Sequence, residues 1–197
     1  MGCEGEAVID LLQRGDIAVD CGANLGNVTA QMAARGATVY SFEPNPHAFR
    51  ILSKRFSHNR SVHCINKGVF DRDGSFPLYL HKDVRTKHDG VALSESSSML
   101  ASKEIVDVAN CVVVEVIDLA SFIEHLNANV RVLKMDIEGL ECVVINKLID
   151  SRMINKIDYL LAETHEKQIP SIREETREMK DRITRLGLGD KIRLDWI

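Results

Sequence analysis

The chain has 197 residues, which is enough for one domain with a substantial core and short for two. Its net charge of −4 gives no general attraction to nucleic acid or to anionic membranes. No apolar run approaches the roughly 20 residues of a membrane span. We therefore expect one domain over residues 1–197 that acts on neither nucleic acid nor membranes.

The first half of the chain alternates between helices and strands. Periodic apolar residues predict helices at 7–12, 27–35 and 46–56, and strands at 16–20, 38–42 and 62–69. A repeated strand–helix order is typical of a parallel sheet that is covered by helices.

The middle of the chain departs from this alternation. Asp-Arg-Asp-Gly at 71–74 is a turn signal, and residues 75–81 alternate like an antiparallel strand. Residues 84–102 are polar and without a clear period, so we interpret them as a loop. Residues 111–116 are β-branched and predict another strand. A β-hairpin is therefore expected after the third strand.

The last part of the chain returns to alternating helices and strands. Helices are predicted at 117–126, 140–149 and 170–185, and strands at 131–136, 157–163 and 191–197. We find no internal repeat and no linker, which again favours one domain.

The cysteines and the first residues bear on the cellular compartment. Residues 1–6 are acidic and precede no long apolar segment, so no secretory signal is expected. The five cysteines form no C-x-x-C pair, which is typical of reduced thiols and disfavours a zinc site. We predict a cytoplasmic protein, and the sequence gives no oligomeric state.

A glycine-rich turn follows the first predicted strand. The segment Val19-Asp-Cys-Gly-Ala-Asn-Leu-Gly26 has only two glycines with Asp20 ahead of them, whereas a dinucleotide fingerprint needs Gly-x-Gly-x-x-Gly. Asp20 would repel a pyrophosphate, but it suits the α-amino group or the sulfonium of S-adenosylmethionine. The alternative is a tight strand-to-helix turn in another kind of α/β protein.

A carboxylate ends the second predicted strand. Glu43 follows 23 residues after Asp20, close to the ~20 residues that separate a glycine-rich turn from an acid that binds ribose hydroxyls. A solvated carboxylate could stand at any strand end. The two features at this spacing together favour a cofactor that contains a nucleoside.

A third group of polar residues ends the strand at 131–136. Lys134, Asp136 and Glu138 alternate along an extended segment, so they project toward one side of the sheet edge where α/β proteins bind ligands. Alternatively, Glu138 and Glu141 start the next helix, where acids favour the positive end of the helix dipole. That explanation suits Glu141 and fits Asp136 poorly.

His165 is the fourth candidate, just after the strand at 157–163. Imidazole titrates near neutrality and can accept a proton, although a lone histidine is more often a surface residue. The other histidines have no ligand spacing and are assigned no role.

Together these motifs resemble the FkbM-type family of S-adenosylmethionine-dependent methyltransferases. The resemblance rests on Val19–Gly26, Phe42-Glu-Pro-Asn-Pro46, Val116-Ile-Asp-Leu119 and Leu133-Lys-Met-Asp-Ile-Glu-Gly-Leu-Glu141, and it covers roughly residues 10–166. It implies the class I methyltransferase fold, a Rossmann-like three-layer α/β/α sandwich with a mostly parallel sheet. It also implies methyl transfer from S-adenosylmethionine to a hydroxyl of a small molecule, such as a sugar or a natural product.

The resemblance also assigns residues to the site. Those that it places along the methionine part of the cofactor are Asp20, Gly22, Asn24 and Gly26. It places Glu43 at the ribose and Asn45 near the adenosine. Asp136 and Glu138 would face the transferred methyl group or the acceptor.

An acceptor hydroxyl is a poor nucleophile while it keeps its proton, so a base or a metal is expected. The candidate bases are His165 and Asp136, with Glu138 in an orienting role. A divalent ion held by Asp136, Glu138 and Glu163 is the alternative, because oxygen ligands suit magnesium. Spacing along the chain does not decide between them.

The C-terminal part departs from the family's pattern. The family's sheet usually closes with a hairpin after the long helix, whereas this sequence stops after Leu194-Asp-Trp-Ile197. Either one strand is missing, which truncates the C-terminal edge, or the short segment takes a different place. Two other functions stay open: a non-catalytic S-adenosylmethionine-binding module and an NAD-dependent oxidoreductase, which the weak glycine pattern disfavours.

Overall fold

The computed structural model describes residues 4–81, 106–194 and residue 196. The helices are α1 Glu4–Ile9, α2 Asn27–Ala34, α3 Pro46–Arg55, α4 Leu119–Leu126, α5 Glu141–Asp150 and α6 Arg173–Arg185. The strands are β1 Ile17–Cys21, β2 Thr38–Phe42, β3 Val62–Ile65, β4 Gly68–Phe70, β5 Gly74–His81, β6 Val106–Asp118, β7 Val130–Met135, β8 Ile157–Ala162 and β9 Ile192–Arg193. The loop predicted at 84–102 lies outside the described residues. Among the described helices, none has the length and apolar character to cross a membrane.

A parallel six-stranded sheet in the order β3-β2-β1-β7-β8-β9 forms the centre of the protein. Successive residues of a strand point to opposite faces, and the core divides accordingly. Val19 and Leu133 pack in one apolar cluster with α4, α5 and α6, whereas Ala18 and Val132 pack in a second cluster with α1 and α2. The predicted three-layer sandwich with a mostly parallel sheet is confirmed.

A second, three-stranded sheet in the order β4-β6-β5 contains the predicted hairpin. β5 and β6 pair antiparallel, from Gly74 opposite Val116 onward. The prediction of one strand at 62–69 is wrong, because the chain leaves the central sheet between β3 and β4. At that point the Asn66 side chain donates to the backbone oxygens of Glu43 and Pro44. These bonds hold the segment between β3 and β4 against the end of β2.

Helix α4 begins two residues later than its pattern predicts. The side chain of Asp118 accepts hydrogen bonds from the backbone N–H groups of Ala120 and Ser121, which caps the helix at Leu119. A carboxylate that satisfies the first free N–H groups of a helix is a strong N-terminal signal. Residues 117 and 118 accordingly belong to the end of β6.

The last described strand takes a place directly beside β8. Ile192 pairs with Leu160 in parallel register, and Trp196 packs against the second apolar cluster. The strand is shorter than the predicted 191–197. The segment therefore supplies a short strand at the edge of the central sheet, and the choice between the two alternatives stays open.

The turns after β1 and β7 are in direct backbone contact. Gly22 has φ +77°, and a Cβ atom added there would lie 1.9 Å from the carbonyl oxygen of Asp136. The N–H of Asp136 donates to the carbonyl oxygen of Cys21 at 3.1 Å. Glycine is therefore required at position 22 both by its backbone conformation and by the space that Asp136 occupies.

Replacing Gly22 by alanine tests this contact. Because the new methyl group would overlap a backbone oxygen that no rotamer change can move, we expect Gly22→Ala to lower the free energy of unfolding by about 3 kcal/mol or more. The matched control is Gly187→Ala, at φ +66° with no atom within 4 Å of the added Cβ, which should cost about 1 kcal/mol. Urea unfolding of both variants gives the comparison, and equal losses would contradict the close approach.

Candidate functional site

The carboxyl ends of β1, β2, β7 and β8 meet at one edge of the sheet because these strands are parallel. Every residue that the sequence proposes for a site lies in or directly after one of these strands. This edge is where open α/β sheets bind ligands. The structure therefore assembles the candidate residues in one region, and their individual contacts define what each can do.

Glu43 ties the glycine-rich turn to the end of β2. Its Oε2 accepts from the backbone N–H of Asn24 at 2.8 Å, and its Oε1 accepts from the N–H of Asn45 at 2.8 Å. Burial raises the pKa of Glu43 to about 7, although these two hydrogen bonds oppose the rise. Each carboxylate oxygen has a second lone pair, which suits a hydroxyl donor from a ligand.

Asp20 lies completely buried beneath the same turn. Its Oδ2 accepts from the hydroxyl of Thr29 at 2.7 Å. Its Oδ1 lies 3.5 Å from Lys134 Nζ and has no hydrogen-bond partner in the described part of the chain. The sequence points to a ligand as the cation near Asp20, but the structure supplies a cation from within the chain.

Lys134 carries that cation, whereas the sequence predicts only that its side chain faces the ligand-binding edge of the sheet. Its ammonium donates to the carbonyl oxygen of Gly22 at 2.9 Å and lies 3.7 Å from Asp136 Oδ2. Burial alone would lower the pKa of Lys134, but Asp20 and Asp136 together raise it above its ordinary value. The charged ammonium therefore links the glycine-rich turn to the end of β7.

His165 gathers the carboxylates at the ends of β7 and β8. Its Nε2 lies 3.2 Å from Glu138 Oε2 and 3.6 Å from Asp136 Oδ1. Glu163 Oε1 is 3.9 Å from the same nitrogen, and Glu141 Oε1 is 3.1 Å from Nδ1 on the other side of the ring. The residues proposed for catalysis thus form one cluster with Glu141 and Glu163.

The carboxylates decide the charge of the ring. Burial alone would lower the pKa of His165, but Glu141, Glu138 and Asp136 outweigh it and raise the pKa to about 9. The imidazolium is therefore the resting form at neutral pH, and the ring becomes a base only as the pH approaches that value. Burial and the charge of Asp136 also raise the pKa of Glu163.

Glu141 has a structural task that the sequence pattern does not predict. The side chain is buried, Oε1 accepts from the N–H of Ile137 at 2.9 Å, and Oε2 accepts from the N–H of Gly139 at 3.0 Å. These bonds hold the turn after β7, in which Glu138 has φ +60°. A glutamate at the start of a helix equally fits the helix dipole, so no separate signal for these backbone contacts exists in the sequence.

Two of the predicted cofactor residues have clear packing tasks. A Cβ atom on Gly26 would lie 2.5 Å from Phe56 Cε2 and 2.6 Å from Leu52 Cδ1, so glycine lets α3 approach the turn. The side chain of Asn45 caps α3 by accepting from the N–H of His47. Contact of either residue with a cofactor stays a prediction.

The structure groups a different set of potential metal ligands from the predicted one. Asp136, Glu141 and His165 place ligand atoms within 4.8 Å of one another, whereas the sequence proposes Asp136 with Glu138 and Glu163. Each oxygen of Glu141 accepts a backbone hydrogen bond and keeps a further lone pair. A divalent ion at this edge stays a prediction.

The comparisons with known proteins identify the family. The sequence profile described as "Methyltransferase FkbM domain" matches residues 20–188. No curated protein matches the chain. Among solved structures, an rRNA methylase from Streptococcus thermophilus is similar with a TM-score of 0.49, 12% identity and coverage of 94% of this chain and 77% of that one. A protein named "putative rRNA-methylase" from Clostridium thermocellum has a TM-score of 0.48, 11% identity and coverage of 90% and 76%.

The family profile covers most of the chain, from Asp20 at the glycine-rich turn to residues beyond α6. The matched segment includes Glu43, Lys134 and the cluster around His165. On this evidence the protein belongs to the FkbM methyltransferase family.

Proposed function

We propose that this protein transfers a methyl group from S-adenosylmethionine to a hydroxyl oxygen of a small molecule of the sugar or natural-product class. The observation that carries the proposal is that the glycine-rich turn and the cluster around His165 meet at the sheet edge. The turn held by Glu43 offers acceptors for a nucleoside cofactor, and the cluster around His165 offers a base, with Lys134 between them. Membership of a methyltransferase family supports the reaction class.

The residues at the glycine-rich turn fit this cofactor. Glu43 has one further lone pair on each oxygen for the ribose hydroxyls, and Asp20 Oδ1 is a buried acceptor that no described residue satisfies by a hydrogen bond. When bound, S-adenosylmethionine supplies a methyl group on a positively charged sulfur. The residues that we propose along its methionine part are Asp20, Gly22, Asn24 and Gly26, with Asn45 near the adenosine.

His165 is the proton acceptor that we propose for the substrate hydroxyl. Its Nε2 faces Asp136 and Glu138 at the edge of the sheet, and its pKa of about 9 makes the neutral ring a stronger base than an ordinary carboxylate. The imidazolium that forms is stabilised by the carboxylates around it. Asp136, whose side chain is partly exposed, is the alternative proton acceptor.

Calorimetric titration tests the cofactor. We expect S-adenosylmethionine and S-adenosylhomocysteine to bind and NADH not to bind. In Glu43→Gln an amide nitrogen replaces one acceptor oxygen, so affinity for both adenosyl ligands should fall at least tenfold, about 1.4 kcal/mol. Glu124→Gln, at an exposed position on α4, is the matched control and should bind like the natural protein.

This titration and an assay for methyl transfer separate the candidate functions and test the role of Glu43. Heat for NADH without heat for S-adenosylmethionine would establish the oxidoreductase alternative. Binding of S-adenosylmethionine with no methyl transfer to any acceptor would support the non-catalytic module. Unchanged affinity in Glu43→Gln, measured on a variant with the melting temperature of the natural protein, would remove Glu43 from the ribose site.

The pH dependence of methyl transfer tests the base. With methyl-labelled S-adenosylmethionine and an acceptor selected from a panel of sugars and hydroxylated natural products, the rate should rise about tenfold per pH unit and level off near pH 9. The reason is that only the neutral ring of His165 accepts the substrate proton. His165→Gln should lose this rise together with most of the activity.

The same assay has two contrary outcomes. A rate that stays constant between pH 6 and pH 9 would contradict the role of His165 as the proton acceptor. Ribosomal RNA is included as a counter-substrate, and methylation of RNA with none of the small molecules would overturn the proposed acceptor class.

A further inference from the structure

We propose that the exposed face of α3 binds the phosphate backbone of a nucleic acid duplex. The α3 basic face consists of the side chains of Arg50, Lys54, Arg55 and Arg60. Helix α3 connects β2 to β3, on the side of the sheet opposite to β8 and the cluster around His165. The inference goes beyond the proposed function, because it assigns a binding partner and not the acceptor of the methyl group.

Positive charge is concentrated in one segment of the chain. Residues 44–70 contain five lysine and arginine residues and no aspartate or glutamate. The rest of the chain is therefore more acidic than the total charge of −4 indicates. The net charge, from which we expect no general attraction to nucleic acid, is thus an average that conceals one basic segment.

The fold exposes the cations of this segment to solvent. The buried side chains of α3 are Ala48 and Leu52, whereas Arg50 and Lys54 are exposed. Residues four positions apart lie on the same side of a helix, so Arg50 and Lys54 project into solvent together. Arg60 is exposed in the segment between α3 and β3, and it adds a further positive charge beyond the end of the helix.

The α3 basic face differs from the exposed face of α6, where charges of both signs occur together. On α6, Arg177 forms an ion pair with Glu174, and Lys180 forms one with Glu166. In the part of the chain that the structure describes, no carboxylate forms an ion pair with a residue of the α3 basic face. Like charges four positions apart destabilise a helix, so the free protein carries a repulsion that a bound anion would relieve.

The helix dipole accounts for only part of this arrangement. Lys54 and Arg55 lie in the last turn of α3, where cations interact favourably with the negative end of the dipole. Arg50 lies in the middle of the helix and Arg60 lies beyond its end, so the dipole explains neither of them. A single sign of charge over the whole face therefore points to an anionic partner.

Arg55 is already held in place before any partner binds. Its Nη1 donates to the carbonyl oxygen of Leu25 and to Oδ1 of Asn27, both at 2.9 Å, and its guanidinium lies over the Phe56 ring. A guanidinium has five N–H donors, so Arg55 keeps donors for a phosphate oxygen. A side chain that is ordered before binding loses less conformational entropy when it binds.

The composition of the face favours a nucleic acid over a protein or a membrane. The exposed large apolar side chains among the described residues are Leu11, Val113 and Leu186, and none of them lies on α3. Protein interfaces have a more apolar centre, and a helix that binds a membrane surface inserts an apolar side. Nucleic acid interfaces are more polar and much more positively charged. The exposed side chains of Ser57 and Asn59 are also of types that contact phosphates.

A duplex fits this face better than a single strand. Proteins that bind single strands stack the bases on aromatic side chains. Phe49, Phe56 and Phe70, the phenylalanines of the basic segment, are all partly buried. In a duplex the bases are already stacked, and a positively charged helix contacts the phosphates on the outside without reaching a base.

Fluorescence anisotropy with a labelled DNA duplex of about 20 base pairs tests the inference on the intact chain. We expect binding at about 50 mM salt that weakens roughly 40-fold at about 200 mM. The reason is that three phosphate contacts give a slope of about −2.7 for log affinity against log salt. The combined variant Arg50→Gln, Lys54→Gln and Arg60→Gln should reduce the affinity at the lower salt concentration at least tenfold.

The matched control removes the same charge elsewhere on the surface. It combines Arg14→Gln, Arg177→Gln and Arg185→Gln, all at exposed positions outside the α3 basic face, and it should bind the duplex like the natural protein. Circular dichroism checks that both combined variants keep the melting temperature of the natural protein. If the α3 variant does not fold, Lys54→Gln alone decides, because the loss of one phosphate contact should reduce the salt slope by about 0.9.

Several results would overturn the inference. Absence of duplex binding at the lower salt concentration is one, and equal losses in the two combined variants are another. Equally tight binding of a polyglutamate peptide, or of vesicles that contain phosphatidylserine, would replace the duplex by an acidic protein or a membrane. Tighter binding of the single strand of the same sequence would exclude the duplex as the preferred partner. The measurement needs neither S-adenosylmethionine nor methyl transfer, so its failure is distinct from a failure of the proposed function.

Discussion

A buried ammonium group joins the two halves of the candidate site. Lys134 donates to the carbonyl oxygen of Gly22 on one side and lies within ion-pair distance of Asp20 and Asp136. A lysine in this place would be very costly without opposite charges around it, so the two aspartates and the ammonium need one another. The spacing between the glycine-rich turn and the end of β7 depends on this arrangement.

The carboxylates at the sheet edge are likewise balanced by cations from within the chain. Lys134 balances part of the charge of Asp20 and Asp136, and a protonated His165 balances part of the charge of the glutamates beyond them. In an edge of this kind the addition or removal of one proton changes the interactions of several groups together. Through that coupling, His165, the carboxylates around it and the glycine-rich turn form one electrostatic unit.

The sequence predicts a mostly parallel sheet and the edge where the candidate site lies, because apolar periodicity and the glycine-rich turn are local signals. It does not predict the partners of Asp20 and His165. Lys134 lies 114 positions after Asp20 in the chain, and no local pattern announces a buried ion pair over that distance. The helix-dipole explanation suits Glu141 in the sequence, because a carboxylate at a helix start satisfies both explanations and only the fold shows its closeness to His165.

The proposed function requires a cofactor that lies against the glycine-rich turn and next to the cluster around His165. A crystal structure of the protein with S-adenosylhomocysteine tests this most directly. We expect the ribose hydroxyls on the carboxylate of Glu43, the sulfur directed toward the side of Asp136, and the Lys134 ammonium still bonded to Gly22. A ligand bound elsewhere, or a Lys134 side chain turned out of the interior, would contradict the account.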